Sequence, residues 1–315
     1  MEQGSYSWFL QPFSALASGR IEKRFLPWLD RKGQFSALKS LTLLAMIAPG
    51  LWVLLQLYMG WLQPKPITLA IHQIGDWAIR FLVLSLAVTP LRRLLDWPKL
   101  LVIRRMVGVS AFVYVAIHFL LYIIDQQWVL WLVASEILTR FYLTIGFVAL
   151  LGLGALAATS TDKMIKRLGA ANWNKLHSLV YILATLGLFH YLIQSKLDIS
   201  RALLVAGIFV YLMLSRVLQK RKFSINIMSL SGLALASALL TAGLEAVWYA
   251  VRNRASVLTI LENNFNFLDG WHFSPDFEWG DLTISWWILI LGLMILVMNV
   301  VKTRPFWTNS AQKKG

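Results

Sequence analysis

Three histidines lie in long apolar stretches of this chain: His118 in VSAFVYVAIHFLLYII, and His177 and His190 in KLHSLVYILATLGLFHYLI. An ionisable side chain inside a bilayer is costly, and one that is kept there marks a pathway or a site. Imidazoles on neighbouring membrane helices can hold a haem iron from its two sides. Spacing limits how. The 13 residues from His177 to His190 rise about 20 Å as a helix, most of a hydrocarbon core of about 30 Å. These two therefore lie near opposite membrane faces and cannot grip one iron, which suggests two stacked haems.

The elements that must carry these side chains follow from hydropathy. Of 315 residues, 58% are hydrophobic and 14% charged, with a mean hydropathy of +0.62. Eight apolar runs are long enough to span, near 41–62, 75–95, 105–125, 136–158, 175–195, 200–219, 226–251 and 284–302. The expected fold is an all-α polytopic membrane bundle of about eight spans, six of them forming a haem-binding core. Trp61, Trp77, Trp128, Trp131 and Trp173 fall near span ends, where an aromatic belt belongs. There is no cysteine, so disulfides, iron–sulfur ligation by thiolates and covalent haem attachment are excluded, and any haem is of the b type. The net charge of +15 would by itself suit nucleic acid. The basic residues instead cluster between the apolar runs, as in cytoplasmic loops. No secretory signal peptide is visible.

Of the 30 lysines and arginines, 23 fall in the amino-terminal segment, the second, fourth and sixth connections and the carboxyl-terminal segment; 7 fall elsewhere. By the positive-inside rule both termini are expected to be cytoplasmic. The third and fifth spans then run outward. His118 and His190 lie toward the outer face, and depth pairs them on an outer haem. His177 is left for an inner haem. Its expected counterpart position, 14 residues before His118 and on the same helix face, holds Arg104. Arginine stays protonated and is a poor iron ligand. Arg104 can pair with a haem propionate, approach the open position of a five-coordinate iron, or be an ordinary edge arginine. His177 and His190 stand about 140° apart on an ideal helix; a π-bulge or a frayed turn near His177 would correct this. The plainer alternative for all three histidines is hydrogen bonding between packed helices.

RFLVLSLAVTPLRRLL at 80–95, RRMVGVSAFVYVAIHFLLY at 104–122 and NWNKLHSLVYILATLGLFHYLI at 172–193 carry a resemblance. The chain resembles the ferric-reductase-like transmembrane superfamily and, within it, the MsrQ/YedZ family of haem-binding membrane subunits of the periplasmic methionine sulfoxide reductase system. With flanking helices the resemblance covers about 41–222. It implies an electron conduit from the quinone pool or a cytosolic flavin reductase, through haem b, to a periplasmic molybdenum-containing partner that repairs methionine sulfoxide. It implies an inner-membrane location, with His118, His177 and His190 as haem ligands. It also implies flavin mononucleotide, for which this sequence shows no motif. The four-histidine pattern of the superfamily is broken at Arg104. Residues 1–40 form a longer amino-terminal segment than the resemblance leads one to expect. Residues 223–315 form an extension with two further spans and an outer loop, 252–283, rich in aromatic and acidic residues. That loop suits docking of a soluble partner or a lid.

Several other residues can serve such a site. Arg80 follows Asp76 by four residues and Arg140 follows Glu136 by four, the spacing of helix-supporting ion pairs. Either arginine can neutralise propionates of the outer haem, and Arg80 is the one inside the resemblance. Arg92 and Arg93 can serve an inner haem or simply set topology. Glu245, inside the seventh span, is a candidate proton carrier or an interfacial residue. His72 and His272 read as surface histidines. Gly146, Gly152 and Gly154, followed by Ala155, Ala157 and Ala158, would let a helix or a flat cofactor approach closely. No glycine-rich nucleotide fingerprint follows a strand, so electrons from a nicotinamide cofactor would need a separate protein. Two alternatives are a stand-alone ferric reductase, and a transporter or assembly factor whose histidines pack or relay protons. Transporters of the latter kind tend to show internal repeats, and none is clear here.

Overall fold

A computed structural model describes residues 28–29, 34–94, 96–196, 198–265 and 282–303. Helices α1 (Ala37–Tyr58), α2 (Pro66–Leu94), α3 (Leu101–Asp125), α4 (Leu130–Thr139) and α5 (Phe141–Ala158) come first. Then follow α6 (Asp162–Leu168), α7 (Ala170–His177), α8 (Val180–Gln194), α9 (Ser200–Lys220), α10 (Ile227–Asn253), α11 (Val257–Phe265) and α12 (Ile284–Thr303). Eight helical segments among the described residues are long and apolar enough to cross a membrane, with α7 and α8 together forming one of them.

The centre of the bundle is α2. Some 61% of its span is buried, against 17–44% for the others. It packs along α3 and touches α1, α8 and α9. It begins nine residues before the expected start, at Pro66, because proline suits the first helical position, where the N–H is unpaired anyway. Further in, Pro90 has no N–H to offer the carbonyl of Leu86. Arg216 of α9 fills that gap, donating to the Leu86 oxygen at 2.6 Å with its guanidinium over the Tyr181 ring of α8.

Tyr114 of α3 also engages the backbone of α1, beside that helix's own internal proline. Its hydroxyl accepts from the Gly50 N–H at 2.8 Å and donates to the Met46 carbonyl at 2.7 Å. These two backbone groups stand four residues apart, the two ends of one rung of the helix beside Pro49, and the hydroxyl engages both.

The expected fourth span, 136–158, is two helices. The chain breaks at Arg140, which ends α4 and opens α5 in an extended conformation. α4 exposes Leu130, Trp131 and Leu138, as a helix lying in the interface would.

Helices α10 and α12 pack on each other and on α9. A Cβ at Gly292 of α12 would fall 2.5 Å from the Ala234 Cβ of α10, a close approach that only glycine allows. Where 252–283 was expected to be a loop, the chain forms α11. Its Asn264 is buried and accepts from Ser285 Oγ at 2.8 Å and, through its carbonyl, from Trp286 Nε1 at 2.9 Å. It also donates to Glu245 Oε2 at 3.1 Å. Glu245 is thus tied within the extension. His272 and the acidic and aromatic residues beyond Phe265 lie outside the described residues.

Candidate functional site

Helices α2, α3, α5 and α8 bring two of the three histidines together. His118 and His190 face each other with ring centroids 6.4 Å apart and planes at 89°. The two rings are held by the same device. His118 Nδ1 lies 2.8 Å from the Ile71 carbonyl of α2, and His190 Nδ1 lies 2.8 Å from the Tyr142 carbonyl of α5. A carbonyl oxygen only accepts, so each Nδ1 carries the proton and each Nε2 keeps its lone pair.

One helical turn after each carbonyl stands a glycine. A Cβ at Gly75 would lie 2.9 Å from His118 Nδ1, and one at Gly146 would lie 2.9 Å from His190 Nδ1 and Cε1. Each imidazole rests in a notch that any other residue would fill. Gly146 stood out in the sequence as one of several small residues, whereas Gly75 did not. The carbonyl-then-glycine spacing of 71/75 and 142/146 is the signal that would have found both.

This donor set fits a six-coordinate iron. Metal–imidazole bonds of about 2.0–2.1 Å on opposite sides of one metal put the two ring centroids about 6 Å apart. Metal-bound histidines characteristically donate the other ring nitrogen to a carbonyl, which fixes the tautomer and raises ligand basicity.

The level of His177 is built differently. α7 ends at His177, and the turn before α8 tightens, with Leu179 N–H on the Leu176 carbonyl at 3.1 Å and Tyr181 N–H on the Ser178 carbonyl at 3.3 Å. These bonds to the third residue back are of the 3₁₀ type, and replace the π-bulge or frayed turn considered from sequence. Both rings consequently address α5: His190 at its start, His177 just past its end. His177 Nε2 lies 3.1 Å from Thr159 Oγ1, and the ring stacks on Trp173 at 3.9 Å. Trp173 in turn donates to the Thr159 carbonyl at 2.9 Å. His177 and Arg104 line a common cavity of about 240 Å³ with Arg105, Ser85, Ser160 and Gly108. Among the described residues no second histidine lines this cavity.

Arg80 lies on α2 one turn after Asp76. Its Nη2 is 3.7 Å from Asp76 Oδ2, and its guanidinium lies over the Trp77 ring. Arg201 of α9 shares the same carboxylate at 3.8 Å. His72 is exposed, as expected. No cluster of three or more metal-binding side chains occurs among the described residues.

A multi-pass helical membrane bundle with paired histidines between its inner helices is the class that fold and site define. Residues 74–188 match the family model described as ferric reductase like transmembrane component. A relative from Caulobacter vibrioides, named protein-methionine-sulfoxide reductase heme-binding subunit MsrQ, is 38% identical over 211 residues, covering 66% of this chain and 97% of the relative. Proteins of the same name from Rhodospirillum rubrum and Herminiimonas arsenicoxydans are 40% and 37% identical, covering 60% and 58% of this chain and 88% and 86% of theirs. The chain belongs to the MsrQ family. No solved structure matches it.

Proposed function

We propose that this protein is the haem-binding, electron-transferring membrane subunit of a methionine sulfoxide reductase system. In this reading haem b is held between His118 and His190. Electrons arrive from quinol or a cytosolic flavin donor and leave for a periplasmic, molybdenum-containing catalytic partner. The observation that carries the reading is the histidine pair, matched in spacing, tautomer and glycine notch, in a chain whose relatives are named heme-binding subunits.

Bound haem would supply a one-electron carrier within the hydrocarbon layer. The chain's own residues do the rest. Ile71 and Tyr142 carbonyls hold the Nδ1 protons, so that both Nε2 atoms remain basic. Gly75 and Gly146 let α2 and α5 close on the rings. Arg80, which shares the Asp76 carboxylate with Arg201, offers positive charge to carboxylates at this level, and Arg104 offers it beside His177. A second haem would take His177 as its histidine with Arg104 opposite, and flavin mononucleotide would accompany the haem.

The excess of basic residues on one set of connections supports an inner-membrane orientation with both termini cytoplasmic. Residues 41–222 would form the haem-binding unit, 1–40 a cytoplasmic segment and 223–315 an appended one. The test is the visible spectrum of the detergent-solubilised protein, oxidised and reduced, with haem counted per chain. A low-spin b-type spectrum lost in His118→Ala and in His190→Ala but retained in His177→Ala is expected. A colourless protein from haem-replete cells refutes the proposal, and two haems per chain would assign the second.

A further inference from the structure

A continuous chain of polar contacts joins the helix bearing His118 to the turn that orients His190. Glu136 of α4 accepts a hydrogen bond from the hydroxyl of Tyr122, which lies on α3 one turn beyond His118. Its other oxygen pairs with Arg140 Nη2 at 2.7 Å. Arg140 is the residue at which α4 ends and α5 begins, and its Nη1 donates to Tyr142 Oη at 3.3 Å. Tyr142 supplies the carbonyl that holds His190. A second tie runs from Thr144 Oγ1 of α5 to the Ile137 carbonyl of α4 at 2.5 Å.

The Glu136 side chain is only 16% exposed, whereas that of Arg140 is 51% exposed. An exposed ion pair alone contributes little. A carboxylate drawn largely out of water and held from two helices is a different object, because it must keep both partners. α4 also buries Val133 and Ile137 while exposing Leu130, Trp131 and Leu138, so it sits on the bundle by one narrow face, and Glu136 is the carboxylate on that helix that reaches α3.

We propose that Glu136 is a positioning residue for the histidine pair: by bridging Tyr122 to Arg140 it fixes α3 against the first turn of α5, and so fixes His190 relative to His118. This rests on the reading of the two histidines as axial ligands. Loosening the bridge lets the Tyr142 carbonyl drift, and His190 with it, weakening one ligand while leaving His118 seated on Gly75.

The test uses the full-length holoprotein with Glu136→Ala, Glu136→Gln and Tyr122→Phe, compared at equal haem content by visible and electron paramagnetic resonance spectra and by haem midpoint potential. Glu136→Ala and Tyr122→Phe are expected to move part of the haem from low spin to high spin and to raise the potential. Glu136→Gln, which keeps an acceptor for Tyr122, is expected to restore the wild-type spin state. Wild-type spectra and potential in Glu136→Ala and Tyr122→Phe, even with lower yield, overturn the proposal by making Glu136 a purely structural contact. If Glu136→Ala does not accumulate, Tyr122→Phe, which removes one hydroxyl, decides alone. His118→Ala and His190→Ala are measured alongside. Low-spin haem persisting in either defeats the axial reading and the clamp together, whereas its loss there with no change in the clamp variants defeats the clamp only.

Discussion

Gly75→Ala is the most discriminating perturbation of the site. The added methyl carbon would fall 2.9 Å from His118 Nδ1 and 3.0 Å from its Cε1, where carbon contacts are comfortable at about 3.5–4.0 Å. The ring must retreat by more than half an ångström (about 0.6 Å on that scale). Retreat strains the 2.8 Å bond to the Ile71 carbonyl. Overpacking of this kind costs about 1–3 kcal/mol, and a weakened buried hydrogen bond costs about 1 kcal/mol. A penalty of about 2–4 kcal/mol on the ligand-ready geometry corresponds to roughly 30- to 800-fold weaker haem retention. The helix itself does not suffer, because alanine is favoured over glycine in a helix interior by about 0.8–1.0 kcal/mol. The expected protein accumulates but loses haem on dilution or on challenge with a haem scavenger. Gly243→Ala is the control, since nothing lies within 4 Å of a Cβ built there. Wild-type haem retention in Gly75→Ala, or equal loss in Gly243→Ala, would refute the reasoning.

Three further expectations are independent. Gly146→Ala should weaken haem retention to a similar degree by displacing His190, and the double variant with Gly75→Ala should lose haem outright, as read by haem per chain. Arg216→Met should lower the thermal stability of the solubilised protein by about 1–3 kcal/mol, because the Leu86 carbonyl loses its donor; adding Pro90→Ala, which returns an N–H to that carbonyl, should recover part of the loss, and strict additivity would count against the repair. Asp198 accepts the Ser200 N–H at 3.0 Å, and that bond holds its carboxyl below the usual carboxylate range. Its contribution is present above the unfolded value near pH 4 and is lost as pH falls through the depressed value, so Asp198→Asn should flatten the acid limb of the melting temperature against pH.

Hydropathy made the eight spans legible because apolar runs of about 20 residues have few other uses. It missed where they start. The nine residues 66–74 include His72 and Gln73, polar enough to read as a connection, yet α2 begins at Pro66. It also merged α4 with α5, since the break at Arg140 comes from backbone conformation and not from a lapse in apolarity. The meeting of His118 and His190 followed from depth alone. Counting residues along an ideal helix could not reveal how His177 turns toward α5, because a 3₁₀-type turn at 178–179 intervenes. Nor could side-chain types show that Ile71 and Tyr142 matter, because what they contribute is a carbonyl, which every residue has. Asn264, an unremarked polar residue in an expected loop, became the buried hub of the extension only once α10, α11 and α12 had closed around it.

The hydroxyl of Tyr114 on the backbone of α1 bears on the order in which the protein is made. Synthesis delivers the amino-terminal span first. Without α3, Gly50 N–H and Met46 C=O would have only each other as partners. The third span brings the tyrosine whose hydroxyl bonds both groups. The span made first is therefore completed by one made later, and Tyr114→Phe would leave both groups without that hydroxyl.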